Sequence, residues 1–105
     1  NINFVGGGAQ SSLWCQVHAD VLDRTIRQVE QPSLANARGA ALIASVALGR
    51  LSFDDIAERT RFAVAYEPNP DNRAIYDELF GEFLSIYKNN KQMYARLNGT
   101  RGEKP

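Results

Sequence analysis

Apolar and polar residues switch between two periods along the chain. Ile2-Asn3-Phe4-Val5 is mostly apolar and predicts a short strand, followed at once by Gly6-Gly7-Gly8. A helix is predicted over roughly residues 11–22, with Leu13, Trp14, Val17, Val21 and Leu22 at helical spacing on one face. Ser11 or Ser12 can serve as its N-cap, the hydroxyl accepting from an N–H two or three residues on. Asp23-Arg24 breaks the helix, and Thr25-Ile26-Arg27-Gln28-Val29 reads as a second strand that ends before Pro32. A second helix is predicted from about 33 to 48, closing at Gly49 as the C′ glycine. Small residues crowd it: Ala35, Ala37, Gly39, Ala40, Ala41, Ala44 and Ala47. Helix propensity explains the alanines. Gly39 costs about 1 kcal/mol relative to Ala and so predicts close approach of a neighbouring backbone.

Ser52-Phe53-Asp54-Asp55 has the form of a capping box, with Asp in place of the usual Glu, and opens a short helix to about Arg59. Phe62-Ala63-Val64-Ala65-Tyr66 reads as a third strand or extended edge. Glu67-Pro68-Asn69-Pro70 is a rigid connector, with Asn69 and Pro70 suited to N-cap and N1 of a last, long helix over about 70–97. That helix carries an aromatic stripe of Tyr76, Phe80, Phe83, Tyr87 and, after a gap at 88–91, Tyr94 and Leu97, with Lys88, Lys91 and Arg96 towards its C-terminal end, where cations suit the dipole. The pattern predicts a helix-rich α/β chain, organised as residues 1–98 followed by a flexible polar tail at 99–105.

With 105 residues there is room for one domain at most. Twelve basic residues balance twelve acidic ones, so no global field favours nucleic acid or anionic lipid as a partner. The longest strongly apolar stretch, 39–48, is too short to span a bilayer, so no membrane association is expected. The single cysteine, Cys15, and the lack of a signal-like start fit a cytoplasmic location. Residue 1 already lies in strand-like sequence without an initiator Met, and a piece of a larger protein is expected. Apolar surface uncovered by such a cut predicts self-association to a homo-oligomer.

The glycine turn is the first chemical candidate. Gly7 and Gly8 can take positive φ and admit a ligand against the peptide plane, and the helix N-terminus behind them favours a phosphate. Three glycines alone leave a ligand-free structural turn equally open. A dinucleotide fingerprint fits Gly6-Gly7-Gly8-Ala9-Gln10-Ser11 locally, with Glu30 at the distance of a ribose contact, but no further βα units follow. His18 has no second His or suitably spaced Cys and is read as structural, giving no metal site. Cys15 lacks a neighbouring base and is read as a packing residue. Asp54 and Asp55 are assigned to a helix start, Asp20 and Asp23 to a solvated helix end. The aromatic stripe leaves a non-catalytic helical interaction module, with the glycine turn purely structural, as a reading from another class.

Taken in order, the segments resemble a known family. A strand, Gly6-Gly7-Gly8-Ala9, a helix holding Leu13-Trp14 and Ala19-Asp20-Val21-Leu22, a strand Ile26-Arg27-Gln28-Val29, then Arg38-Gly39-Ala40-Ala41 and Glu67-Pro68-Asn69-Pro70 are similar to the C-terminal end of the FGGY carbohydrate kinases, xylulokinase-like members in particular. The resemblance implies the last part of an actin-like, ribonuclease H-like ATPase domain, one of two that hold ATP in the cleft between them. It implies an ATP-dependent kinase (a phosphotransferase) that passes the γ-phosphoryl group to a sugar hydroxyl with Mg2+. By the same resemblance Gly7, Gly8 and Ala9 hold the adenosine end of ATP. Ser12 stands where several members carry a longer Asn against the adenine, so a water would bridge the shorter side chain to the base. The small helix around Ala37–Ala41 would pack behind the nucleotide and give Gly39 its reason. The catalytic aspartate, the sugar site and the γ-phosphate loop of the family lie upstream, so this chain alone is expected to be inactive.

Overall fold

The fold is that of a computed structural model describing residues 1–99. Of the tail expected at 99–105, residues 100–105 lie outside the described residues. The chain divides into two units, Asn1–Arg73 and a second beginning at Ala74.

The first unit is built on a three-stranded sheet of β1 (Ile2–Phe4), β2 (Ile26–Val29) and β3 (Phe62–Tyr66), in the order β1-β2-β3. β1 runs parallel to β2, with Ile2 opposite Ile26 and Phe4 opposite Gln28. A parallel pair needs a crossover, and α1 (Ser12–Leu22) provides it. β3 returns antiparallel to β2, with Tyr66 opposite Ile26 and a register shift between Gln28 and Val29. The third strand therefore does not extend a parallel dinucleotide-binding half-sheet.

α1 lies on the sheet through small residues. Cys15 and Ala19 are fully buried with Ile26, and Phe4 and Tyr66 close the cluster from the flanking strands. This core is thin: Leu13, at 74 % exposed, and Trp14, at 50 %, are turned out of it, so the apolar stripe read along α1 is only partly a packing face. Asp23 ends α1 in the left-handed conformation that Asp tolerates better than most residues.

Pro32–Leu34 forms a short 3-10 turn that leads into α2 (Ala35–Ala47). α2 ends in a Schellman motif: the Arg50 N–H donates to the Ser45 carbonyl at 2.9 Å and the Gly49 N–H to the Val46 carbonyl at 2.9 Å, with Gly49 at φ 68°. Arg38 ties α2 to the end of β2, its guanidinium donating to the Glu30 carbonyl at 2.9 Å. The close neighbour expected at Gly39 is not found among the described residues, where a Cβ built there would meet nothing within 4 Å. The capping box is formed: the Ser52 N–H donates to Asp55 Oδ2 at 2.7 Å and the Asp55 N–H to Ser52 Oγ at 3.3 Å, opening α3 (Asp54–Arg59).

Asn69 caps the 3-10 turn Pro70–Asn72, its side chain accepting from the Asp71 N–H at 3.1 Å, and Pro70 occupies N1. The long helix α4 (Arg73–Asn98) follows and makes up most of the second unit. On it the Phe80 and Phe83 rings stack with centroids 6.4 Å apart. Among the described residues no helix is long and apolar enough to cross a membrane.

Candidate functional site

The glycine segment leaves β1 and turns into α1 through one 3-10 turn, Gly7–Gln10. Gly6 alone of the three takes a positive φ, 87° with ψ −174°, a region open essentially to glycine. Gly7 and Gly8, expected to use that freedom, have ordinary φ inside the turn. Their missing side chains matter for another reason. Both are exposed, and at Gly7 an added Cβ would meet nothing within 4 Å, so its backbone is open to a ligand. At Gly8 an added Cβ would stand 3.1 Å from Trp14 Cδ1 and 3.3 Å from Nε1, so this glycine makes room for the indole. The N–H groups of Gly7 and Gly8 have no partner among the described residues.

Ala9 is fully buried and holds the turn from behind. Its N–H donates to the Gly6 carbonyl at 3.2 Å, and its own carbonyl accepts from Gln28 Nε2 and from Cys15 Sγ at 3.6 Å. Burial pushes the Cys15 thiol up from its ordinary value, so it stays a neutral donor and no nucleophile. Ser11, not Ser12, is the cap of α1, its Oγ accepting from the Trp14 N–H at 3.2 Å. Ser12 is thereby left exposed at the first helical position with its hydroxyl unengaged among the described residues. Trp14 stands beside Gly8 as a half-exposed wall. It is backed by His18, whose ring lies edge-on to the indole at 5.0 Å and tilted over Phe4 at 4.5 Å. His18 Nδ1 lies 2.8 Å from the Trp14 carbonyl, which can only accept, so that nitrogen carries the proton; the structural role expected for this residue is the one it has.

The far end of α1 holds the residue that the sequence reading misassigned. Asp20, read as part of a solvated helix end, is 5 % exposed. Its Oδ1 accepts from the Asn69 N–H and from Gln16 Nε2, and its Oδ2 from Asn72 Nδ2, each at 2.8 Å. Arg73 donates to its carbonyl at 3.2 Å. Burial raises its pKa more than any other single influence. The Asn69 N–H and the Asn72 and Gln16 amides together outweigh burial and hold it below the ordinary carboxylate value. Gln16 also donates to the Glu67 carbonyl at 2.8 Å, and Thr25 Oγ1 to Glu67 Oε2 at 2.9 Å. The Glu67-Pro68-Asn69-Pro70 connector is thus strapped along α1. Asp23, by contrast, is exposed as expected.

Among the four residues expected to meet the nucleotide, Gly7, Gly8 and Ser12 share one exposed corner and Ala9 lies beneath it. No group of three His, Cys, Asp or Glu among the described residues is placed to hold a metal ion.

This strand–glycine turn–helix–strand–helix succession is also where the chain meets known proteins. Residues 1–48 match the C-terminal domain of the FGGY family of carbohydrate kinases. The xylulose kinase of Staphylococcus epidermidis is 32% identical over 102 residues, spanning 92% of this chain and 20% of that protein. The chain belongs to the FGGY carbohydrate kinases. The autoinducer-2 kinase of an Enterobacter species is 31% identical over 88 residues, spanning 80% of this chain and 16% of that protein. The crystal structure of the ligand-bound xylulose kinase of Lactobacillus acidophilus superposes with a TM-score of 0.77 at 25% identity, covering 91% of this chain and 20% of that one. The fold is therefore that of the C-terminal part of an actin-like ATPase domain, and the chain spans about one fifth of the length of these FGGY relatives. In FGGY terms the matched region runs from β1 to the end of α2 and contains the whole glycine corner.

Proposed function

We propose that this chain is the adenosine-side wall of the ATP site in an FGGY sugar kinase, with Gly7, Gly8 and Ser12 facing the nucleotide and Ala9 supporting them. The observation that carries this reading is the glycine corner itself. Two exposed glycines whose N–H groups are unpaired among the described residues stand beside a hydroxyl likewise unengaged there, at the first turn of α1, and helix N-termini favour anionic and polar ligands. Membership of a carbohydrate kinase family supports ATP as the co-substrate and a sugar hydroxyl as acceptor. The kinase would work in the cytoplasm, where ATP is supplied. Xylulose and autoinducer-2 kinases both stand among the relatives, and a site for the nucleotide rather than for the acceptor suits kinases of different acceptors.

Phosphoryl transfer rests on positioning and charge neutralisation, with a carboxylate to take the hydroxyl proton. The role assigned to these residues is positioning alone: Gly7 and Gly8 offer peptide edges and Ser12 a hydroxyl to the nucleoside. Mg2+ would be held by the phosphates and by groups outside this chain, since the described residues supply no cage for it. The chain by itself is inactive on this reading.

Gly7→Asp in the full-length protein tests the assignment. The new side chain enters open space, so folding is preserved, and it occupies the face assigned to the nucleotide. Calorimetric titration with ATP should show at least about a tenfold loss of affinity, worth about 1.4 kcal/mol. Wild-type affinity in Gly7→Asp would refute the reading.

A further inference from the structure

We propose that Gln28 is a positioning residue for the nucleotide: from β2 its amide grips the Ala9 carbonyl and so sets the angle at which Gly7 and Gly8 present their backbone. The inference deepens the nucleotide reading above and rests on it.

Besides the Ala9 N–H bond to the Gly6 carbonyl within it, the turn is fastened at three places. At its start the Gly6 N–H donates to the Pro32 carbonyl at 2.8 Å, and at its end the Ser11 N–H donates to the Gly8 carbonyl at 3.2 Å. Both are backbone bonds that almost any side chains would preserve. The middle fastening is different, because it is made by side chains, with Gln28 and Cys15 converging on one buried carbonyl. A thiol is a weak donor, and at 3.6 Å it leaves most of the grip to the Gln28 amide.

The place of Gln28 in the sheet points the same way. It lies two residues from Ile26 on the face of β2 that carries the core, beside Phe4 on β1. A primary amide on that layer is costly unless its hydrogen bonds are made, and an apolar residue would pack there without that demand. The bond the amide does make goes to the residue directly after the two exposed glycines. Fixing the Ala9 carbonyl from behind prevents the turn from rolling about its axis. The Gly7 and Gly8 N–H groups are then held outward before a ligand arrives, which reduces the ordering cost of binding.

The test uses the full-length protein and ATP as the probe. Gln28→Leu keeps a comparable volume and removes the donor. Gln28→Glu keeps the shape and turns an acceptor on the carbonyl. Both should raise the Kd for ATP about five- to twentyfold, with Gln28→Glu the more severe. Hydrogen exchange supplies the readout that a merely structural role would not move. On adding ATP the wild-type segment 6–10 should gain protection, and in both variants that gain should shrink while Cys15 and Ile26 stay as protected as in the wild type. A wild-type Kd in Gln28→Leu would overturn the proposal, as would weaker binding accompanied by lost protection at Cys15 and Ile26. If Gly7→Asp blocks ATP and Gln28→Leu does not weaken it, positioning alone fails. If Gly7→Asp binds ATP normally, the nucleotide reading fails with it.

Discussion

Asp20→Asn probes the strap between α1 and the connector, and the structure sets its size. Asp20 Oδ1 receives two donors and Oδ2 one, so the asparagine keeps its oxygen on the Oδ1 side. Its new amide then faces Asn72, whose side chain has to turn over to offer its own amide oxygen. Hydrogen bonds to a charged group contribute about 1.5–3 kcal/mol each. The substitution reverses one bond and turns all three from charged to neutral, at about 1 kcal/mol each for a neutral bond, for a loss of about 2 kcal/mol. The Asn69 N–H reports this directly, since it donates to Asp20, and native-state hydrogen exchange reads its opening in a protein of any length. Its exchange should speed up about 30-fold in Asp20→Asn. Asp20→Leu, which strands all three donors, should cost about 3–5 kcal/mol. Asp20→Asn with Asn72→Asp restores a donor–acceptor pair with the charge moved to the other side, and should recover about 1 kcal/mol of coupling. An Asn69 amide that exchanges within about twofold of the wild type in Asp20→Asn would refute the strap as a stabilising element.

The same carboxylate predicts a pH dependence. The folded pKa of Asp20 lies below its unfolded value, near 3.9. Its contribution is therefore fully present above about pH 4 and is lost as pH falls through the lower folded value. Asn69 protection in the wild type should be level from neutral pH down to the unfolded pKa and fall below it. In Asp20→Asn that acid limb should be missing, and its persistence would assign the acid sensitivity to another group.

Three further outcomes follow from single contacts. Gly8→Ala should destabilise by about 1 kcal/mol, because the new methyl presses on Trp14, whereas Gly7→Ala should be neutral or stabilising by about 0.5 kcal/mol; equal effects in thermal melts would contradict the packing read at Gly8. Cys15 should resist alkylation in the native protein and react on unfolding, as followed by mass spectrometry of its peptide, since the thiol is buried and its pKa is raised; native labelling at the rate of a free thiol would contradict the buried position. Ser52→Ala should raise the Asp55 pKa in an NMR titration, because the Ser52 hydroxyl, after the Ser52 N–H that alanine retains, is the main group that holds it below the ordinary value; an unmoved titration would exclude the hydroxyl bond in solution.

The sequence disclosed the elements of this chain well and its polar fastenings poorly, for identifiable reasons. Helix caps and turns are local, so Ser52 with Asp55, Asn69 with Pro70 and Gly49 could be read from a few neighbouring letters; the box and the C′ glycine form as expected, and Asn69 and Pro70 cap the 3-10 turn that precedes α4 rather than α4 itself. Gln16 is a helical neighbour of Asp20, but the other two partners of its carboxylate, Asn69 and Asn72, are 49 and 52 residues away in sequence, where no periodicity registers them, so a buried acceptor reads as a solvated helix end. Gly39 shows the opposite error. A real helix-propensity cost was converted into a neighbour that is not among the described residues. At the glycine corner the letters gave the turn but not its mechanics, because only Gly6 uses a positive φ while Gly8 accommodates Trp14.

A usable signal for Gln28 was present. β2 alternates its faces, and Ile26, the most buried member, shares its side with Gln28. A lone amide on the core face of a short strand calls for a buried acceptor, because the amide must be paired to be kept there. β2 runs parallel to β1, and the acceptor that Gln28 finds lies in the turn leaving β1, which is the glycine segment. Period-2 patterning treats such a polar residue as noise. The buried amide is obliged to find a carbonyl, and the one it finds, Ala9, lies directly behind the exposed Gly7 and Gly8 backbone proposed to meet the nucleotide.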